Sequence, residues 1–468
     1  MNEIGFIITE IEYSKKISKG LSGEIVKKQD KKFFILEYPF FNDKEKKMFT
    51  DILKELKETK NHIKNKTDIY FLIKNFCLEN FILLRKDQRE KISLVLEWET
   101  LGNSILEPIL KDPDFEEIVI NGKNKPIMLY HNVFGWLTSN IYFNSDEKIK
   151  TIINKIASPL GRQLSYNNPI LNATLSNGSR LNASMDPIAF TGINATIRKF
   201  KENPLTPKNI INFDTINEKA MAFLWLVMQT SSSILVCGNT GSGKTTTLNA
   251  LFCFLPKDER IIVVEETPEI VLPQEHIVKL NTAEHLKIGL DKLIENTFRM
   301  RPDRVIVGEI RSKDEAKAFV NTMLAGQARG SYATFHAESA REAIERLSTF
   351  GIEKNSLKTL DIILVQKRIT RINNKNNIRR EERKIVEICE IENSEQITLN
   401  TLFELNHLTG KLVKVNESKR LNEKIKQTFC CNEKEYLKLL KEKELILEKI
   451  NESVSFKEFF ELSCGEIT

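Results

Sequence analysis

The sequence predicts an α/β protein built around a parallel sheet with helices on both faces. Three observations carry this. Four continuously apolar segments, Ile234–Cys237, Ile261–Glu265, Arg304–Ile310 and Ser331–His336, alternate with stretches of helical periodicity, the pattern of strands buried on both faces. The first of them runs into Gly238-Asn239-Thr240-Gly241-Ser242-Gly243-Lys244-Thr245-Thr246, with a helix-like segment behind it. A smaller α/β unit precedes this part, joined through Glu202-Asn-Pro-Leu-Thr-Pro207, whose two prolines mark a hinge.

Composition bounds the problem. A chain of 468 residues with 41% apolar and 29% charged residues is a globular protein of several domains. Its net charge of +6, from 70 basic and 64 acidic residues, is too small to imply nucleic-acid binding. Seven cysteines include no C-x-x-C pair, so no zinc module is expected, and an odd count points to reduced thiols in a cytoplasmic protein. Met-Asn-Glu-Ile-Gly at the start lacks the basic-then-apolar pattern of an export signal. Residues 220–243 hold no charge and match a membrane span in length, but Gln229-Thr-Ser-Ser-Ser233 and the glycine loop interrupt them. They read as a buried helix, a turn and a buried strand, and no transmembrane segment is expected.

In chain order, residues 1–100 form an N-terminal adaptor or docking region. Its first forty residues suggest a strand pair. Asn42 and Glu45 have capping-box spacing before a helix carrying Met48, Ile52, Leu53 and Leu56 on one face, and two further helices fill 68–100. Residues 101–201 form the smaller α/β domain. It contains a short helix at Pro108, a strand at 117–120, a tight Asn121-Gly122 turn, a strand at 126–130 and a turn at Gly135. A helix over 145–160 follows, then strands through Lys199. The linker is 202–208 and the core 209–366. Within the core, Leu286, Leu290, Leu293 and Ile294 mark a helix, Ser312/Glu315 and Ser339/Glu342 are capping boxes, and Gly326 closes a helix. Residues 367–468 read as a charged hairpin and a helical extension, with Tyr436, Leu440 and Leu447 on one weakly amphipathic face.

The loop at 238–246 has the strand–glycine–helix order of a phosphate-binding loop. Its glycines let backbone N–H groups and the helix N-terminus converge on negative charge. Lys244 is placed to reach β- and γ-phosphates and the Thr245 hydroxyl to take a Mg²⁺ position. Hydrolysis further needs acidic groups at neighbouring strand ends, because ligands sit at the carboxyl edge of such sheets. Glu309 ends one strand, and Glu265, with Glu266 and Glu269, ends another. His336 ends a third, where a phosphate or water contact competes with a purely structural role. Arg299, Arg301, Arg304 and Arg311 surround the Glu309 strand; Arg162, Arg180 and Arg198 lie in the preceding domain. The basic segment with Lys367, Arg368, Arg371, Lys375, Arg379, Arg380, Arg383 and Lys384 reads as a solvated hairpin, with anionic lipid or nucleic acid as the alternative.

Taken together these motifs resemble the type II/type IV secretion and pilus motor ATPase superfamily, most closely its archaeal branch. Glu265-Glu-Thr-Pro-Glu269 looks like the aspartate box, Arg299 to Arg311 like the Walker B segment, and Ala333-Thr-Phe-His-Ala337 like the histidine box. Leu106–Gly122, Asn177-Gly-Ser-Arg-Leu181 and Thr196-Ile-Arg-Lys-Phe200 are similar to the domain that precedes the motor. The resemblance implies a RecA-like P-loop motor domain, a mobile smaller domain, a homo-hexameric ring, and ATP with Mg²⁺ between the domains. Arg180 and Arg198 would close onto the phosphates. Thr245 and Glu309 would serve the metal, and Glu309, Glu265, Glu269 and His336 the catalysis, with the roles of the aspartate-box glutamates left open. It implies a cytoplasmic enzyme, peripheral at the inner face of the membrane, driving a polytopic platform protein for pilus assembly or secretion. The competing class is a nucleic-acid-translocating ATPase, supported only by the basic segment, and no nucleic-acid partner is expected. Departures from the pattern are Glu266 where aspartate is common, and Gln327-Ala-Arg329 where a histidine often stands.

Overall fold

The structure is a computed structural model describing residues 5–29, 31–39, 41–59, 63–200, 204–283, 286–326, 328–372, 379–392 and 397–465. Met1 to Ile4, Glu202 and Asn203 of the expected linker, Gln327 and Lys375 lie outside the described residues. The chain divides into two compact units, Met1–Lys201 and Glu202–Thr468.

In the first unit come β1 (Phe6–Ile8), β2 (Lys15–Lys19), β3 (Gly23–Lys28) and β4 (Lys31–Leu36), then helices Asp43–Thr59, Lys66–Glu79 and Lys86–Thr100. After them follow β5 (Phe115–Asn121), β6 (Pro126–His131), β7 (Gly135–Phe143), helix Asp146–Ala157, β8 (Ile170–Thr174), β9 (Arg180–Ser184) and β10 (Asn194–Arg198). All ten strands join one sheet, ordered β2-β3-β4-β7-β6-β5-β10-β9-β8 with β1 on β7. The strand pair expected in the first forty residues is thus four strands, and β4 pairs with β7 in parallel. Phe6, Phe34 and Leu36 are buried in the same cluster as Ile118, Leu137 and Ile153. Buried Asp112 accepts hydrogen bonds from the Ser22 hydroxyl at 2.6 Å and backbone N–H at 3.1 Å, tying the two segments together. The three helices have their own small core of Phe49, Ile52, Ile73, Ile92 and Leu96. The Asn42/Glu45 box opens the first of them, with both reciprocal bonds at 2.9 Å. The turn expected at Asn121-Gly122 opens into the longer connection 122–125.

The second unit starts with helices Pro207–Asn212 and Glu218–Met228, then β11 (Ile234–Cys237), helix Lys244–Phe252, β12 (Ile261–Glu265), β13 (Ile277–Asn281), helix Leu290–Thr297 and β14 (Arg304–Ile310). It continues with helix Lys313–Leu324, β15 (Gly330–Phe335), helix Ala340–Thr349, β16 (Ile362–Ile372), β17 (Arg379–Glu392), β18 (Thr398–Asn406) and β19 (Lys411–Lys414). Helices Arg420–Phe429, Glu433–Lys449 and Phe456–Ser463 end it. The sheet order is β13-β12-β14-β15-β11-β16-β17-β18-β19. Its pairings are parallel from β13 to β16 and antiparallel beyond. A loop-bearing strand flanked by β15 and β16, with the acid-bearing strands further out, is the RecA-like arrangement.

Apolar clusters cover both faces. One gathers Trp225, Leu248, Phe254, Tyr436, Leu447 and Phe459, the other Leu235, Ile294, Phe319 and Leu347. Position 366, where the sequence ends the core, lies inside β16, and the C-terminal hairpin and helices share the sheet and the first cluster. Helix Glu218–Met228 is buried almost throughout, which accounts for its membrane-like composition. Among the described residues no helix is long and apolar enough to cross a membrane. Leu286 stands outside helix Leu290–Thr297 and is 61% exposed, because the helix starts only after Gly289. Ser312/Glu315 form the expected box, whereas the Glu342 carboxylate turns to the Glu338 N–H instead of Ser339.

Candidate functional site

The site is built on the carboxyl end of β11. Its four residues are fully buried, which fixes the start of the loop, and helix Lys244–Phe252 fixes the end. Between them Gly241 and Gly243 take φ of +74° and +96°, a region where a Cβ is strained. At Gly238, with φ +154°, an added Cβ would stand 2.0 Å from the Gln366 carbonyl oxygen. These glycines therefore let the loop curl tightly while β16 passes against it. Lys244 is 8% exposed and folds back, its ammonium donating to the carbonyls of Gly238 at 3.1 Å and Asn239 at 3.3 Å. Burial lowers its pKa, and the nearby Glu309 carboxylate partly restores it. The Ser242 hydroxyl is buried without a partner among the described residues.

Acidic groups come from the strands on one side. Glu265 ends β12 at 2% exposure and accepts the backbone N–H of Glu269 at 2.9 Å and Ile270 at 3.0 Å. Burial pushes its carboxyl up to about 7 against those two donors. The bonds hold the chain so that Glu269 Oε2 accepts from Thr245 Oγ1 at 3.1 Å. Asn249, on the same helix as Thr245, braces the turn through the Glu269 carbonyl at 3.1 Å.

Glu309 lies where the β14–β15 register shifts between Val307 and Ile310. The bulge releases Gly308 and Glu309 from the ladder. The carboxylate is then gripped from two sides. His336 Nε2 stands 2.8 Å from Oε1, and Arg311 Nε donates to Oε2 at 2.7 Å while its other end meets Glu266. Burial first, then Lys244, lowers the His336 pKa, so a neutral imidazole donates its Nε2–H to Glu309. Of the other arginines on this strand, Arg304 is buried and serves structure, bonded to Glu259 at 2.6 Å and Tyr332 at 2.9 Å.

The structure thus gathers Lys244, Thr245, Glu265, Glu269, Glu309 and His336 at one sheet edge in the second unit. Arg180 and Arg198 belong to the first unit, where they face each other in register at the ends of β9 and β10. The basic segment lies on the expected hairpin, β16 with β17, and several of its charges are paired. Arg368 bonds Glu381 at 3.0 Å, Arg371 pairs with Glu382 at 3.1 Å, and buried Lys384 meets Asp214. Sequence reasoning missed Gln366, which accepts from Thr247 Oγ1 at 2.7 Å, and Arg383, whose Nε donates to the Gly241 carbonyl at 3.1 Å. No local signal marks either, because Gln366 reaches the loop where β16 pairs with β11, and Arg383 only through the pairing of β17 with β16.

The donor set is oxygen-rich and fits Mg²⁺ bound together with a nucleotide: the Thr245 hydroxyl, held by the Glu269 carboxylate, and the Glu309 carboxylate. Among the described residues no group of three or more His, Cys, Asp or Glu could hold a metal without such help.

Comparison with known proteins follows the same lines. The profile of the family described as Type II/IV secretion system protein matches residues 101–451. An uncharacterized protein of Methanocaldococcus jannaschii is 39% identical over 221 residues, 45% of this chain and 30% of the relative. A second from that organism is 35% identical over 297 residues, 62% of this chain and 53% of the relative. The chain therefore spans only part of the length of these relatives. The type IV secretion system protein VirB11 of Bartonella henselae is 31% identical over 318 residues, covering 56% of this chain and 88% of that protein.

Proposed function

The chain belongs to the Type II/IV secretion system protein family, and from that premise we propose that it is a motor subunit hydrolysing Mg-ATP to power pilus assembly or protein secretion at a membrane. The observation that carries this reading is the convergence on one sheet edge of a buried P-loop lysine, a hydroxyl–carboxylate pair and a doubly held glutamate.

In this reading residues 238–246 cradle the phosphates and Lys244 leaves its loop carbonyls for the β- and γ-phosphates. Thr245 and Glu309 would hold Mg²⁺, which when bound would neutralise charge developing on the transferred phosphoryl group. Glu265, with a carboxyl poised near neutrality, takes the proton of the attacking water, while Glu269 orients Thr245. His336 and Arg311 keep Glu309 in place. Arg180 and Arg198 are the arginines assigned to the phosphates; a positioned arginine of this kind supplies roughly 10³–10⁵ in rate. Six copies form a ring at the cytoplasmic face of the membrane and push on a polytopic platform protein.

Lys244→Ala is expected to abolish Mg²⁺-dependent ATP hydrolysis in a phosphate-release assay. Hydrolysis at the wild-type rate in that variant would remove the mechanism. Glu309→Gln is expected to keep ATP affinity while turnover drops by a factor on the order of 10² or more; an equal loss of binding would mean its role is misassigned.

A further inference from the structure

The flank of the phosphate loop opposite the acidic strands is closed by the β16–β17 hairpin. β16 has 11 residues against four in β11, and their register ends at Cys237 and Val365. From Gln366 onward β16 therefore rises past the end of β11, with β17 returning beside it. Arg368 and Arg383 stand directly across from each other on this rise, and both are exposed. Arg383 donates to the Gly241 carbonyl at 3.1 Å, and the Arg368 backbone N–H points at Asn239 Oδ1 at 3.4 Å. An Arg368 guanidinium nitrogen lies 3.5 Å from where a Cβ on Gly241 would be, and the Arg383 Cδ 3.4 Å from one on Gly243. Two like charges facing each other across a ladder repel. Glu381 answers Arg368, whereas Arg383 is turned to the loop.

Direction follows from sheet order. Glu265, Glu309 and His336 all lie on the β12–β14–β15 side of β11, and the hairpin lies on the other. A nucleotide whose reacting end faces the acidic groups runs its α- and β-phosphates toward the hairpin. We propose that Arg383, with Arg368 beside it, binds the α- and β-phosphates, the part that substrate and product share. The pair then sets nucleotide affinity and leaves the hydrolytic step to the acidic side. This rests on the nucleotide reading above.

The test is equilibrium binding of Mg-ATP and Mg-ADP to the full chain. Arg383→Gln is expected to raise both dissociation constants by the same factor, roughly ten- to a hundredfold for a lost charge-assisted bond. Arg383→Lys should recover part of the affinity, and the melting temperature without nucleotide should change little, since the side chain is exposed. Unchanged constants would overturn the proposal, and so would a loss confined to ATP, which would make the arginine a reader of the γ-phosphate. Lys244→Ala measured in parallel separates the two readings. If it binds nucleotide as wild type does, the nucleotide site itself is wrong; if it loses binding while Arg383→Gln and Arg368→Gln do not, only the arginine assignment falls.

Discussion

At the scale of single residues, Glu265 shows how burial makes chemistry. Its carboxyl sits up to about 7 because desolvation outweighs two backbone donors. The folded protein therefore holds a proton that the unfolded chain releases once pH exceeds the ordinary carboxylate value. Stability falls as pH rises from about 4.5 to about 7, by on the order of 3 kcal/mol, and is level above. Thermal denaturation of wild type and Glu265→Gln between pH 5 and 8 checks this: the gap between them should change across the window and be constant beyond it. Glu309, Lys244 and Thr245 were legible in the sequence because loop spacing and strand ends are local patterns. Arg383 was not. A charge run displays its charges, while the neighbour that gives one of them a task, the Gly241 carbonyl, lies more than a hundred residues away in the chain.

At the scale of elements, four parallel strands and the helix after the loop were readable from apolar runs, since strands covered on both faces lose their alternation. β13 escaped because its residues are only partly buried or exposed, leaving no apolar run. The bulge in β14 was also invisible, though it can be recognised from parity. Val305, Val307 and Ile310 share one apolar cluster and Ile306 belongs to the other, so alternation breaks between 307 and 310. The contact between β16 and the loop makes an element-scale test possible. Gly238→Ala would press a Cβ against the Gln366 carbonyl at a φ of +154°. It is expected to destabilise the protein by about 2–4 kcal/mol and to weaken nucleotide binding, measured by chemical denaturation and by titration. A variant as stable as wild type would mean β16 yields easily.

At the scale of the whole molecule, the sequence drew boundaries at 100 and 366 where composition changes, and pairing crosses both. β4 joins β7 across the first, and β16 runs through the second. Composition reports local texture, whereas a sheet recruits strands from wherever they fit. A chain ending at 366 is expected to be insoluble or to lack a cooperative melt, because it loses all of the β16–β17 pairing and buried Leu421, Tyr436, Leu447 and Phe459; a cooperative transition in that fragment would contradict this. The same layout governs how the protein is made. β11 lies between β15 and β16, both encoded much later. At about 5–20 residues per second, the strand that bears the loop waits roughly 5–30 s after synthesis for its second neighbour. Throughout that interval the uncharged stretch 220–243, whose composition mimics a membrane span, is without its final cover. Between the emergence of β11 and that of β16 the nascent chain therefore carries its most membrane-like stretch with one side of the loop strand still unpaired.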